Sequence, residues 1–289
     1  MKIKNKIIEL NKDFKRWAGA MFFCLTKKYH LDIHVAEHCN LNCKGCTHFS
    51  PLAEEEFCDV EILKKSLTRL APYYKVFEAI QLLGGEPLLN PELWKILKVT
   101  RQIFPLSKIN LFTNGVLFQN KDFNKKIDWE CLKENDITIR ITQYPINLNL
   151  YCITNLCNQH GVKIEYCNNL NKHSWLKFLL YKNSNHIKAY KHKYLKLSKC
   201  STYHCIQLVD DKLFPCPHSA YSRHLSKYFN LGWKSAPSDY LEVSNIKSIR
   251  DIRKFMITSK PFCTHCAQGY EPSKWKTTSK KRDEWLVSE

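Results

Sequence analysis

The chain has 289 residues, of which 44% are hydrophobic, and it carries a formal net charge of +18. This length and composition exclude a disordered chain and allow a full-sized core. The 14 cysteines fall mainly into tight clusters, which favours metal ligation in a reducing cytoplasm over a secreted disulfide scaffold. The charge points to anionic partners, such as phosphorylated metabolites, acidic proteins, nucleic acid or a membrane surface.

Residues 1–30 are predicted to contain an amphipathic N-terminal helix. Apolar residues recur every three or four positions from Ile3 to Leu25, which is the spacing of a helix with one buried face. Lys27 and Lys28 follow with no small-residue cleavage site, and the apolar run is too short to span a bilayer. We therefore expect a docking helix in a cytoplasmic protein without a transmembrane segment, with peripheral membrane attachment as the alternative.

Residues 31–199 are predicted to form an α/β domain, a partial (β/α)6 barrel of the TIM type. Strand-like and helix-like stretches alternate in this range, which indicates βα units and a parallel sheet that is closed or partly closed. The predicted strands are 31–37, 78–85, 108–115, 137–145 and 162–167. Ligands of such sheets bind at the carboxyl ends of the strands.

Three cysteines, Cys39, Cys43 and Cys46, follow the first predicted strand in a C-x3-C-x2-C spacing. Thiolates bind soft metals, and three of them on one short loop can reach three corners of one compact site. Zinc sites usually close with a fourth cysteine or histidine, whereas this loop leaves one position open. An open iron in a cluster can coordinate a substrate or cofactor, which would be a catalytic arrangement, and a structural zinc clip is the alternative.

This loop resembles the signature of the radical S-adenosylmethionine (radical SAM) enzymes. The resemblance implies a 4Fe–4S cluster on the three cysteines, S-adenosylmethionine chelated at the fourth iron, and reductive cleavage of that cofactor to a 5′-deoxyadenosyl radical. Gly84, Gly85, Glu86 and Pro87 match the family's GGEP element, which receives the cofactor's ammonium group. Glycines at this point let the backbone approach a ligand closely.

The resemblance implies further cofactor-binding residues at later strand ends. Family members contact the methionyl carboxylate and the ribose of the cofactor at such positions. In this chain the corresponding residues are Thr113, Asn114 and Thr142.

Two features of the expected cavity leave alternatives open. Gly45 stands where many family members carry an aromatic residue against the adenine, so His48, Phe49 or the backbone is expected to make that contact. Arg140 and Tyr144 lie near the carboxyl end of a predicted strand. They are candidates for catalytic residues facing the cavity, or for ordinary wall residues.

Residues 200–270 are predicted to form a small C-terminal α+β domain with a second group of cysteines. Residues 205–216 alternate around Asp210 and Asp211 as a β-hairpin would, and a C-x2-C hook follows a predicted helix at 248–259. The candidate ligands are Cys200, Cys205, Cys216, Cys263 and Cys266.

This second pattern is similar to the twitch, or truncated SPASM, domains of some radical SAM proteins. The similarity implies an auxiliary 4Fe–4S cluster on four cysteines, which leaves one of the five candidates in surplus. Cys200 fits the family spacing to Cys216, whereas Cys205 lies better on the hairpin, so either one or both remain candidates. The C-x2-C hook alone would suit a four-thiolate zinc site equally well.

Two basic segments complete the chain. Residues 271–289 are a polar, basic tail that is expected to be loosely ordered. Residues 166–209 contain no Asp or Glu, and they predict either a solvated face or a patch for phosphates or an acidic partner. An acidic flavodoxin or ferredoxin as electron donor fits this charge. The lysines of the second segment are Lys172, Lys177, Lys182, Lys188, Lys191, Lys193, Lys196 and Lys199.

A barrel with one auxiliary cluster resembles the radical SAM dehydrogenases of aminoglycoside assembly that act on 2-deoxy-scyllo-inosamine, and the cysteine loop is similar to radical SAM proteins encoded with surface-glycan genes. The resemblance implies oxidation of a hydroxyl of a sugar, cyclitol or nucleotide sugar. A peptide-modifying maturase of the same superfamily is the first alternative. A zinc-stabilised nucleic-acid-binding protein is the second, although the lysines are not interleaved with a recognition motif.

Overall fold

The structure is a computed structural model that describes residues 28–167, 175–177, 179–182, 200, 202, 205–266 and 271–287. Nearly all of the predicted N-terminal helix, and most of the lysine-rich segment, lie outside the described residues. Within the described ranges, no helix combines the length and the apolar character needed to cross a bilayer.

A mostly parallel sheet of eight strands forms the centre of the described part of the chain, and it confirms the predicted α/β class. The strands are β1 (Tyr29–Ala36), β2 (Phe77–Gly84), β3 (Ile109–Thr113), β4 (Ile137–Thr142), β5 (Lys163–Cys167), β6 (Trp175–Lys177), β7 (Cys205–Val209), β8 (Lys212–Phe214), β9 (Leu241–Glu242) and β10 (Glu271–Ser273). The order in the sheet is β5-β4-β3-β2-β1-β7-β8-β9, and β6 pairs with β10 separately. Strands β1 to β5 and β7 are parallel, whereas β8 and β9 are antiparallel to their neighbours.

Helices connect the parallel strands, and their amino ends carry the expected caps. Asp59 accepts hydrogen bonds from two backbone N–H groups at the start of the first helix, and Ser248 and Asp251 form a capping box at the start of the last. The helices are α1 (Val60–Leu70), α2 (Leu93–Ile103), α3 (Lys121–Asn124), α4 (Trp129–Glu134), α5 (Leu150–Gln159), α6 (Pro217–Phe229) and α7 (Ile249–Ile257). Short 3-10 helices span Ser50–Leu52, Ala71–Val76, Pro87–Leu89, Val116–Gln119, Val243–Asn245, Pro261–Thr264 and Arg282–Glu284.

The main core lies between the sheet and the helices α1 and α2. On β1, Leu31, Ile33 and Val35 are fully buried in this core together with Leu67 of α1. Because successive side chains of a strand point to opposite faces, the residues between them face the interior of the barrel. Each buried leucine or isoleucine contributes about 1.5–3 kcal/mol to folding, which holds the carboxyl ends of the strands in place.

The predicted hairpin is confirmed, since β7 pairs with β8 across a turn in which Asp210 and Asp211 have positive φ angles. Strand β7 also pairs in parallel with β1. The hairpin therefore continues the barrel sheet, and Cys216 follows closely after its second strand, β8.

Residues 274–287, here named the C-terminal strap, pack against the molecule although their composition predicts a loose tail. Trp285 and Leu286 are buried in a second apolar cluster that also contains Tyr221 of α6 and Phe262. A few apolar residues are enough to anchor this basic segment, because the buried aromatic side chain stabilises the contact while the lysines stay in water.

Candidate active site

The three cysteines of the first loop lie close together just beyond the carboxyl end of β1. Negative charge on Cys46 raises the pKa of both Cys39 and Cys43, and negative charge on Cys43 raises the pKa of Cys39. Burial is the main cause that raises the pKa of Cys43 to about 12. Buried thiols of this kind ionise only when a cation compensates the charge, which is what a metal site supplies.

Several N–H groups point at these sulfur atoms. The backbone N–H of Leu41 donates to Cys39 Sγ at 3.3 Å, and the indole N–H of Trp275 donates to Cys43 Sγ at 3.2 Å. Backbone N–H groups after the third cysteine donate to Cys46. Sulfur atoms that accept hydrogen bonds are the usual environment of thiolates bound to iron–sulfur clusters, so the donor set fits such a cluster.

Among the described residues, no three His, Cys, Asp or Glu side chains are spaced to bind one metal ion. A 4Fe–4S cluster has a different requirement, because each cysteine binds its own iron.

The two glycines of the GGEP element press the end of β2 against the first loop. A Cβ added to Gly85 would lie 1.9 Å from the His38 carbonyl oxygen, and one added to Gly84 would lie 2.2 Å from that of Ala36. Gly85 N donates to Ala36 O at 2.7 Å, and Glu86 N donates to His38 O at 3.0 Å. Only glycine permits this approach, which aligns the GGEP element with the cysteine loop.

Glu86 joins the ends of β2 and β3 through its carboxylate. This side chain is fully buried and accepts hydrogen bonds from Thr113 Oγ1 at 2.7 Å, Asn114 N at 2.9 Å and Leu88 N at 3.2 Å. Burial raises the pKa of Glu86 to about 7. The negative charge of Glu86 in turn raises the pKa of Cys39. The structure thus brings the cysteine loop, Glu86, Thr113 and Asn114 to one rim.

Other predicted residues lie at the same rim or below it. Pro87 begins a buried 3-10 turn. Thr142, the last residue of β4, hydrogen-bonds the thiol of Cys167 on the neighbouring strand. Arg140 lies two residues before Thr142 on β4. Its Nε forms an ion pair with Glu165 Oε2 of the neighbouring strand at 3.1 Å.

Tyr144 and the two candidates for the adenine contact have distinct surroundings. Tyr144 hydrogen-bonds Cys43, and its ring centroid lies 5.9 Å from that of Trp275. Phe49 is buried in the second apolar cluster, whereas His48 hydrogen-bonds the backbone of Gly84. Of the two, His48 is the one placed against the GGEP element.

The inner face of the barrel carries a row of polar side chains. Parallel register aligns Asp32, Gln81, Asn110, Thr138 and Gln207 on neighbouring strands, and each is at most 8% exposed. Gln207 Nε2 donates to Asp32 Oδ2 at 2.8 Å, and burial raises the pKa of Asp32 to about 7. None of these residues was predicted from the sequence, although polar and apolar residues alternate in β1 and β4.

The second group of cysteines gathers around Cys216, which precedes α6. Burial and the charges of Cys266, Cys263 and Cys200 raise the pKa of Cys216. Cys205, at the start of β7, instead hydrogen-bonds the carboxylate of Asp32.

The C-terminal strap contacts the first group of cysteines directly and is linked to the second through Leu180. Leu180 forms isolated backbone bridges with Cys266 and with Leu286 of the strap. Trp285 of the strap donates its indole N–H to the Cys46 carbonyl oxygen at 3.0 Å. A series of backbone and side-chain contacts therefore connects the two sites.

The fold and this rim define a class of proteins: α/β partial barrels with a cysteine loop after the first strand. A sequence-family profile described as a 4Fe-4S single cluster domain matches residues 8–144.

Two curated relatives align with parts of the chain. The first is 7,8-dihydro-6-hydroxymethylpterin dimethyltransferase of Methanocaldococcus jannaschii, 31% identical over 100 residues, which are 33% of this chain and 19% of that protein. The second is GTP 3′,8-cyclase of Syntrophomonas wolfei, 32% identical over 98 residues, which are 31% of this chain and 28% of that protein.

The chain thus spans less than a third of the length of each of these two relatives. A solved structure of BtrN in complex with AdoMet and 2-DOIA superimposes with a TM-score of 0.51 at 14% identity, covering 83% of this chain and 93% of that one. This likeness shows a shared fold over most of the chain. These comparisons support the predicted resemblance to the radical SAM superfamily.

Proposed function

We propose that this protein is a radical SAM enzyme that reductively cleaves S-adenosylmethionine and abstracts hydrogen from a small polar substrate. Its outcome is oxidation of a hydroxyl of a sugar, cyclitol or nucleotide sugar. The observation that carries the proposal is the convergence of the Cys39–Cys46 loop with Glu86, Thr113 and Asn114 at one rim.

Cys39, Cys43 and Cys46 would hold a first 4Fe–4S cluster, and their N–H donors suit thiolate ligands. When bound, this cluster supplies the electron that splits S-adenosylmethionine and so yields the 5′-deoxyadenosyl radical. The loop offers three thiols, which leaves one iron free for the amino and carboxylate groups of the cofactor.

Glu86 supports a cationic ligand at the rim. Its carboxylate is fully buried, and no Lys, Arg or His in the described ranges forms an ion pair with it. A buried carboxylate gains most from a cation, and the ammonium group of S-adenosylmethionine is such a cation. Asn114 and Thr142 stand beside it at neighbouring strand ends, where they would bind the rest of the cofactor.

The polar row inside the barrel supports a hydroxyl-bearing substrate. Within the described residues, Asp32 Oδ1, Asn110 Oδ1 and Gln207 Oε1 are buried without a hydrogen-bond partner. Buried polar atoms are almost always satisfied by protein, water or ligand. Side-chain amides both donate and accept, as hydroxyl groups do, so a polyol beneath the cofactor would satisfy this row.

Cys200, Cys216, Cys263 and Cys266 would hold the second, auxiliary cluster. In an alcohol oxidation, the substrate would lose a hydrogen atom to the 5′-deoxyadenosyl radical, and the substrate radical would then lose a proton to a base and one electron. When bound, the auxiliary cluster supplies the acceptor for that last electron.

We also propose an acidic flavodoxin or ferredoxin as the source of the first electron. The predicted lysine run lies largely outside the described residues, but the C-terminal strap offers an exposed basic surface beside the first loop. Its members are Lys274, Lys276, Lys280, Lys281 and Arg282. Complementary charge of this kind speeds the encounter of two proteins.

Anaerobic reconstitution with iron and sulfide tests the proposal. We expect about four iron and four sulfide per cluster, and about eight of each when both sites fill. The reduced protein should convert S-adenosylmethionine to 5′-deoxyadenosine, and a deuterated cyclitol or sugar substrate should pass deuterium to that product. Stoichiometric zinc without iron would refute the proposal. Deuterium transfer only from a labelled peptide would instead favour the maturase alternative.

A further inference from the structure

The C-terminal strap closes over the first cysteine loop by backbone pairing. Cys43 forms an isolated antiparallel bridge with Thr277, and Lys44 N donates to Lys276 O at 2.9 Å. The strap thus adds a short strand to the loop that carries the three cysteines. This pairing fixes the position of every strap residue near Cys43.

Trp275 lies two residues before that bridge and points its indole N–H at the sulfur of Cys43, at 3.2 Å. The side chain is partly buried against Tyr144, which also hydrogen-bonds Cys43. Among the three sulfurs of the loop, Cys43 therefore receives two side-chain donors from segments far away in the chain.

The strap holds this geometry through its own anchors. Glu284 is buried and accepts hydrogen bonds from Thr278 Oγ1 and Ser279 Oγ, and it forms an ion pair with Lys44 of the loop at 3.8 Å. Trp285 is 1% exposed. Because both ends of the segment are fixed, the indole of Trp275 has little freedom to leave the sulfur.

We infer that Trp275 is a positioning residue of the first cluster, whose N–H bond to Cys43 raises the reduction potential of that cluster. The inference rests on the proposed function, since it requires a cluster on this loop. Reduction adds negative charge that is shared with the thiolates, and an N–H dipole stabilises the reduced form more than the oxidised form. Loss of the donor therefore makes the cluster harder to reduce.

Trp285 provides a matched control inside the same strap. It also donates an indole N–H to the first loop, but its acceptor is the carbonyl oxygen of Cys46 and not a sulfur. A general effect of losing a tryptophan from the strap should appear in both variants. An effect of the N–H···S bond should appear in Trp275→Phe alone.

The test is an anaerobic redox titration of the full-length holoenzyme, followed by electron paramagnetic resonance. The first cluster is recognised as the signal that changes when S-adenosylmethionine is added. We expect Trp275→Phe to keep the iron content of the wild type and to shift this signal to a more negative midpoint potential. Trp285→Phe should titrate as the wild type does. A Trp275→Phe midpoint equal to that of the wild type would overturn the inference.

A second measurement needs no variant to fold. Wild-type holoenzyme labelled with indole-15N tryptophan should show a 15N coupling to the reduced first cluster in pulsed resonance experiments. Absence of that coupling would overturn the inference. Failure of the wild type to take up iron would overturn the proposed function as well, and iron analysis reports that outcome separately.

Discussion

The two groups of cysteines differ in the number of thiols that they gather and in the charges beside them. The first has three thiols, and its open side meets Glu86 and Asn114. The second has four thiols, Cys216 and the three that surround it, next to the apolar cluster that contains Phe262. A site with three protein ligands keeps a position for a small molecule, whereas a site with four is complete without one.

The charges differ in sign as well. At the first site the negative charge of the Glu86 carboxylate raises the pKa of Cys39. At the second site the buried ammonium of Lys260 interacts with Cys263, while burial lowers the pKa of Lys260 to about 8. An anion nearby makes a cluster more reducing and a cation makes it a better acceptor. On the proposed function, this difference in charge suits delivery of an electron at the first site and its collection at the second.

The largest expected effect comes from removing one thiol of the open site, which is the group of Cys39, Cys43 and Cys46. In Cys43→Ala, formation of 5′-deoxyadenosine should fall at least about a thousandfold, or about 4 kcal/mol, because the loop can no longer hold its cluster. Anaerobic turnover followed by mass spectrometry measures this loss. Cys152→Ala, at an exposed cysteine, is the control and should retain activity. Retained cleavage in the Cys43 variant would contradict the assignment of the open site.

The closed site is the group of Cys200, Cys216, Cys263 and Cys266. Removing one of its thiols should separate cleavage of S-adenosylmethionine from product formation. In Cys216→Ala, product formation should fall roughly a hundredfold, whereas 5′-deoxyadenosine should fall by less than about tenfold, a difference of about 1.4 kcal/mol or more. The reason is that the first site still cleaves the cofactor while the last electron has no acceptor. Measuring both products in one reaction gives the ratio. Undiminished product would show that the second site is not needed for turnover.

Part of this comparison can be predicted from the sequence, because local spacing carries it. The positions of Cys39, Cys43 and Cys46 after a strand, and of the GGEP glycines after the next, predict one shared rim. The hairpin and the hook at Cys263 likewise follow from short-range patterns. Parallel strands then bring their carboxyl ends together without further information.

The remainder depends on long-range contacts that local patterns do not encode. Trp275 meets Cys43 from a segment that composition predicts to be loose. The choice between Cys200 and Cys205 depends on whether a thiol faces Cys216 or Asp32. A side chain's partner across the fold is decided by packing, which spacing alone does not determine.

The identity of the fourth ligand of the closed site can be tested by iron content. We expect Cys200→Ala to lose about four iron per chain and Cys205→Ala to keep about eight, because Cys205 donates to Asp32 instead. Iron analysis and the visible spectrum after anaerobic reconstitution measure the difference. The opposite pattern would exchange the two residues, and equal loss in both would mean that the two cysteines act together.

The smallest expected effect concerns the cation beside the closed site. Lys260 is buried and its Nζ donates to the Phe255 carbonyl oxygen at 2.7 Å, so its charge is fixed near Cys263. In Lys260→Met, the second cluster should titrate at a more negative potential, because a screened charge interaction on the order of 1 kcal/mol is lost.

Lys254→Met removes the same charge from an exposed position of α7 and should leave the potential unchanged. Coupled product formation should fall only a few-fold, since the four thiols remain. Equal potentials in the two variants would show that the sign of the local charge does not distinguish the sites, and that the number of thiols alone separates donor from acceptor.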